Sequence, residues 1–268
     1  MRIARFSAPG SDPTFGVVEL PEDGGDHPGT LAQISGDPLS GPVKYTGARF
    51  DLDAVRLLSP VIPRSKIVCL GMNWAQHAAE LGSETPSTPV VFIKPNTSVI
   101  GPDEAVIYPP ETSDLHYEGE LAIVIGRICR RVPRDRVAEV IFGYTCANDV
   151  TARDLQHVDG QWARSKGFDT FCPLGPWIVT NLDVAEASEL TIRTTLDGEV
   201  KQEGTTADMV HGIAEIVAFI SDFTTLLPGD VILSGTPQGV GPMQVGQKVS
   251  VTISGIGTLT NPIAADAD

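Results

Sequence analysis

The stretch LHYEGELAIVIG, residues 115–126, reads as a strand, because the apolar run 121–125 carries no charge and closes on a glycine. Ahead of that run stand two acids, Glu118 and Glu120. Side chains alternate along a strand, so both carboxylates must face the same way, within about 7 Å of each other on an extended backbone. Neighbouring carboxylates repel and raise each other's pKa unless a cation or a proton lies between them. A strand headed for the core therefore carries a charged pair, and the rest of the chain has to account for it.

Around this stretch the pattern is mainly β. KIVCLG (66–71), PVVFIKP (89–95), VIFGYTCAND (140–149), PWIVT (176–180), LTIRTTLDGEVK (190–201), DVILSG (230–235) and KVSVTISGIGTLTNPI (248–263) read as strands bounded by Gly, Pro, Asp and Asn. Asp197-Gly198 is a hairpin signal. Two helices are expected. One begins near Thr151 in TARDLQHV, with Thr151 and Asp154 at capping-box-like spacing; the other covers roughly 206–223, with Met209, Ile213, Ile216, Val217, Ile220 and Phe223 on one apolar stripe. Upstream, MRIARF and FGVVEL read as short strands separated by turn-rich residues and followed by the polar loop PEDGGDHPGT, 21–30. The proline-bearing SPVIPRSK, 59–66, suits a boundary between a small β-rich N-terminal domain, 1–60, and a larger domain, 61–268.

Composition bounds what such a chain does. Of 268 residues, 41% are hydrophobic, ample for a core without staples. The formal charge of −15, from 19 basic and 34 acidic residues, argues against nucleic acid or an anionic membrane as partner. No apolar run approaches the roughly 18 residues of a membrane span. The N-terminus MRIARFSAPG has no apolar core of a secretory signal, so the expectation is a cytoplasmic protein. Cys69, Cys129, Cys146 and Cys172 show no paired spacing and read as reduced core residues.

Four stretches carry chemistry. Glu118 and Glu120 are followed by GYTCANDVTARDLQ (143–156), where Asp149 is offered at a strand end. Three such carboxylates suit a hard divalent cation, Mg²⁺ or Mn²⁺, although an E-x-E pair on a solvated face is the commoner pattern. CLGMNWAQHAAELG (69–82) places His77 and Glu80 three apart, so a carboxylate could orient an imidazole on one helical turn, or the pair could simply be exposed. The flanking glycines and GSETPSTP suit a mobile lid over 76–88. QWARSKGFDTFCPLGPW (161–177) offers Lys166 to an anion, and LPGDVILSGTPQGVGPM (227–243) offers Thr236 and glycine N–H groups without the signature of a P-loop.

Taken together and in this order, LLSPVIPRSKIVCLGMNWAQHAAE, KPNTSVIGP, HYEGELAIVIG, GYTCANDVTARDLQ, SKGFDTFCPLGPW and LSGTPQGVGPM resemble the fumarylacetoacetate hydrolase family over about residues 58–264. The N-terminal segment also looks like that of bacterial members classed as isomerases or decarboxylases of the homoprotocatechuate pathway. The resemblance implies an α+β, mainly β fold, a mixed β-sandwich roll, that forms a homodimer. It implies that Glu118, Glu120 and Asp149 bind the metal, that His77 and Glu80 form a dyad on a lid holding a catalytic water, and that Lys166 is the active-site lysine. By the same resemblance Arg153, Gln156, Gly235 and Thr236 fall at substrate-binding positions, with selectivity set around Trp74, the lid and residues 153–160. One departure is His116, where many members carry an acid; strand alternation places it on the face of Glu118 and Glu120.

The implied substrates are small 2-oxo acids, handled through a metal-stabilised enolate. Hydrolytic C–C cleavage of an acylpyruvate or fumarylpyruvate is the leading expectation. The alternatives are 2-hydroxyhepta-2,4-diene-1,7-dioate isomerisation or decarboxylation of an oxaloacetate-type acid, and, in another class, a ligand-binding protein without turnover.

Overall fold

The computed structural model describes residues 1–21, 29–80 and 82–266. Most of the polar loop 21–30 and Leu81 of the expected lid lie outside the described residues.

The fold is α+β and mainly β, in mixed sheets. The strand Gly119–Ile125 runs through the middle of the largest sheet, between Ile141–Asn148 and Val231–Leu233, and all seven of its residues are buried. Leu121, Ile123 and Ile125 enter one apolar cluster, while Ala122 and Val124 enter another on the opposite face. That two-sided burial is why the sequence reads as an unbroken apolar run there. Beyond Val231–Leu233 the sheet continues through Ile67–Gly71, joined in parallel, to Val90–Lys94. On the other side it passes through Cys172–Val179 to Arg2–Ser7, Thr14–Glu19, Thr30–Ile34 and Tyr45–Asp51. The N-terminal strands are thus hydrogen-bonded into the same sheet as the centre.

A second sheet, Glu199–Thr205, Thr191–Leu196, Lys248–Ile253, Gly257–Ala265 and Val106–Tyr108, packs its buried residues, among them Ile192, Val251, Ile253 and Leu259, against the first. The Asp197-Gly198 turn closes its hairpin, with both residues at positive φ. The four cysteines are free and buried. Among the described residues no helix is long and apolar enough to cross a membrane.

The structure corrects four expectations. The strand of the opening stretch is broken at Glu118: Leu115–Tyr117 belongs to a small three-stranded sheet and Gly119–Ile125 to the large one. The expected helix over 206–223 starts only at Ile213, because Met209 bridges to Trp74 while the N–H groups of Val210 and His211 bond to Asn73. Phe223, expected in the apolar stripe, is 54% exposed and packs edge-on against Phe219. The helix Arg153–Asp159 has no capping box; Thr151 instead donates to the Asp149 carbonyl, and the Asp154 carboxylate is taken up by Thr112 and Ser113.

Candidate functional site

Two neighbouring backbone segments assemble the acidic centre. Gly119 pairs with Asn148, and the Asp149 N–H donates to the Glu118 carbonyl at 2.8 Å, so Asp149 lies beside the two glutamates by sheet register. One oxygen from each of Glu118, Glu120 and Asp149 falls within 4.8 Å of the others, and all three residues are buried. Both glutamates can point inward because the residue between them turns its Cα the other way. A Cβ on Gly119 would lie 2.1 Å from Thr194 Oγ1 and 3.2 Å from Val251, so only glycine fits beneath the second sheet.

Three cations surround these acids. Lys166 Nζ lies 2.9 Å from Glu118 Oε2 and 2.7 Å from Asp149 Oδ2. Arg153 reaches Glu118 Oε1 at 2.5 Å and Gln156 at 2.6 Å. Lys94 Nζ lies 2.5 Å from Asp149 Oδ1, on the carboxylate oxygen that Lys166 leaves open. Glu120 has no cation at bonding distance among the described residues and accepts from the Gly235 N–H at 2.7 Å.

This arrangement drives the two glutamates apart in acidity. Burial opposes ionisation of Glu118, yet Lys166 and Arg153 outweigh it and hold the carboxyl far below its ordinary range. Burial, followed by the charges of Asp149 and Glu118, pushes Glu120 well above that range. A divalent cation among the three would relieve the repulsion, and an all-oxygen donor set is what Mg²⁺ or Mn²⁺ takes. The residues therefore fit such an ion. Burial lowers the pKa of Lys166 but Asp149 and Glu118 more than reverse this, so its amine stays an ammonium.

A cavity of about 240 Å³ opens onto this centre, lined among others by His77, Glu118, Arg153, Gln156, Lys166 and Thr236. His77, on the short helix Ala75–Glu80, is 4% exposed, with Nδ1 3.1 Å from Glu80 Oε2. The Glu80 carboxylate also accepts from the Gly239 N–H at 3.1 Å, which ties the helix to the glycine-rich loop.

A model of the fumarylacetoacetate (FAA) hydrolase C-terminal domain matches residues 66–264, and an Rv2993c-like N-terminal model matches residues 1–60. The chain belongs to the fumarylacetoacetate hydrolase family. Protein Rv2993c of Mycobacterium tuberculosis is 50% identical over 263 residues, covering 98% of each chain. The oxaloacetate tautomerase YcgM of Escherichia coli is 42% identical, over 72% of this chain and 90% of that relative. Among solved structures, a 5-carboxymethyl-2-hydroxymuconate delta-isomerase from Mycobacterium smegmatis superposes with a TM-score of 0.89 at 48% identity, covering 99% of this chain and all of the other. A maleylpyruvate hydrolase from Sphingobium sp. SYK-6, in complex with manganese(II) and pyruvate, superposes with a TM-score of 0.79 at 31% identity over both whole chains.

The protein is thus a fumarylacetoacetate hydrolase family enzyme, and its residues divide as follows. The structure brings together His77, Glu80, Glu118, Glu120, Asp149, Arg153, Gln156, Lys166 and Thr236. Lys166, offered to an anion in the sequence reading, sits in the helix Ala163–Gly167 and is 3% exposed. Gly235, expected at the substrate, has its N–H committed to Glu120 and its carbonyl to Trp74 Nε1, so it steadies a carboxylate instead. Trp74 is accordingly buried behind the loop and does not line the cavity. His116 is also absent from that lining; its Nε2 lies 2.9 Å from Asp114.

Sequence reasoning missed Lys94 and Trp162, and took in His157, which lines the cavity, only within the range 153–160. Lys94 is fully buried at the end of an apolar strand, a position where a lysine is ordinarily solvated, and nothing in the local sequence marks it as buried. Trp162 lies over Gly71, where a Cβ would come within 2.4 Å of its ring, and packs edge-on against Phe92 to wall the cavity.

Proposed function

We propose that this enzyme is a divalent-metal-dependent tautomerase or isomerase of small 2-oxo dicarboxylic acids, shifting a proton between carbon and oxygen or along a conjugated chain without consuming water. The observation that carries this reading is the buried charge balance beside the His77–Glu80 dyad. Three carboxylates face Lys94, Lys166 and Arg153, so a divalent cation leaves an excess of two positive charges, suited to a dianionic acid. The names of an isomerase at 48% identity and of a tautomerase at 42% support it over the hydrolytic reading, whose hydrolase-named neighbours are 30–35% identical.

A divalent cation held by Glu118, Glu120 and Asp149 supplies Lewis acidity toward the 2-oxo oxygen. Lys166, fixed as an ammonium, and Arg153 face the cavity and stabilise negative charge that develops on the substrate. Glu80 engages Nδ1 of His77, which leaves Nε2 to take a proton from the carbon next to the 2-oxo carbonyl. Returning that proton to oxygen completes a tautomerisation, and returning it to a more distant carbon completes a double-bond shift.

The test is the keto–enol exchange of oxaloacetate, followed by NMR on metal-stripped protein with and without Mg²⁺ or Mn²⁺. Metal-dependent acceleration is expected, lost by about 10²–10⁴-fold in His77→Gln with Mn²⁺ binding intact. Release of pyruvate with CO₂ would make the enzyme a decarboxylase, and cleavage of an acylpyruvate without exchange would restore the hydrolytic reading.

A further inference from the structure

The strand Glu199–Thr205 lies at the edge of the second sheet, and of its seven residues only Gln202 is buried. An amide sent alone into a protein interior has to find partners for its acceptor and both donors. Gln202 finds them on two segments of the site. Its Oε1 accepts from the Gly119 N–H at 3.0 Å, and its Nε2 donates to Thr236 Oγ1 and to the Pro237 carbonyl, each at 2.8 Å. Thr236 in turn donates to the Gly119 carbonyl at 2.9 Å, which closes a ring of hydrogen bonds around one residue.

That residue is the glycine between Glu118 and Glu120. Its N–H and its carbonyl are held by Gln202 and Thr236 respectively, while its Cα is pressed under Thr194. Thr236 lines the cavity, and the neighbouring Gly235 N–H bonds Glu120. The spacing between the paired glutamates and the glycine-rich loop is therefore set through one side chain that is itself outside the cavity lining.

We infer that Gln202 is a positioning residue, whose amide holds the Glu118–Gly119–Glu120 backbone in register with Thr236 and so aligns the cation-binding carboxylates with the substrate-facing loop. The inference rests on the metal-site reading above. Residues that orient metal ligands from behind typically change metal affinity by about 10–100-fold when replaced.

The experiment is calorimetric titration of metal-stripped protein with Mn²⁺, alongside thermal unfolding of the same metal-free samples. Gln202→Met keeps the length of the side chain and removes all three hydrogen bonds. Its Mn²⁺ affinity is expected to fall about 10–100-fold, while Glu203→Ala, on the exposed side of the same strand, binds as wild type. If Gln202→Met does not fold, Gln202→Asn, which draws the amide back by one methylene, is titrated in its place with the same expectation. A folded variant whose melting point drops but whose Mn²⁺ affinity stays within twofold of wild type would make Gln202 structural only and overturn the inference. The underlying metal-site reading is checked separately: wild-type binding that persists unchanged in Glu118→Gln would remove that reading, whatever Gln202 does.

Discussion

Asp149 is gripped from two sides, by Lys166 on one carboxylate oxygen and Lys94 on the other, and neither lysine has appreciable contact with water. Removing one member of a buried ion pair leaves its partner uncompensated, at a cost of about 3–5 kcal/mol. Lys94→Met should therefore lower the metal-free melting point sharply, because the three buried carboxylates are then left facing only two cations. Mn²⁺ should raise the melting point of this variant by more than it raises that of wild type, since the ion replaces the missing charge. Equal Mn²⁺-induced shifts in the two proteins, measured by scanning calorimetry, would show that Lys94 does not share the cluster's charge. The two glutamates were readable in the sequence because alternation along a strand is local. Lys94 was not, since nothing local tells a buried lysine at a strand end from a solvated one.

The element that organises the site is the segment where two sheets meet at Glu118. The small sheet ends at Tyr117, the large one begins at Gly119, and the change of partner strands places Glu118 where it can reach both Arg153 and Lys166. Gly119→Ala tests how closely this junction is packed. The added methyl meets Thr194 and Val251, and overpacking of this kind costs about 1–3 kcal/mol. Because Gly119 joins the two glutamates, Mn²⁺ affinity should fall together with stability, whereas an alanine accommodated by a turn of Thr194 alone would leave both unchanged. Gly71→Ala acts on a different wall: its methyl would push the Trp162 ring into the cavity, raising KM with the metal affinity unaffected. An unchanged KM would mean that the ring moves aside without narrowing the cavity. Strand content was legible because each strand carries its own pattern. The start of the helix Ile213–Phe223 was not, because Asn73 and Trp74, far away in sequence, claim the residues before it.

Across the whole molecule, the central sheet buries three thiols, Cys69, Cys146 and Cys172, and burial raises the pKa of each; for Cys146 and Cys172 it rises from 9.0 to about 12. Below about pH 9 these thiols are neutral in the folded and unfolded states alike, and stability does not depend on them. Between about pH 9 and 12 the unfolded chain loses their protons while the folded chain keeps them. Stability then falls as pH rises, by about 1.4 kcal/mol per pH unit for each such thiol. Denaturant unfolding at pH 8 and pH 10.5 should show this loss, reduced in Cys146→Ala; equal pH dependence in the variant and wild type would exclude the thiol as its source. By itself the sequence determined the β-rich class, the common face of Glu118 and Glu120, the hairpin at Asp197-Gly198 and the family, because these depend on spacings of a few residues or on the order of motifs along the chain. Only the tertiary structure decided that Lys94 and Lys166 converge on Asp149, that Gly235 serves Glu120, and that an amide from an edge strand reaches Gly119. Those choices depend on which strands become neighbours, and on burial so complete that each charged or polar group must take whatever partner the packing brings to it.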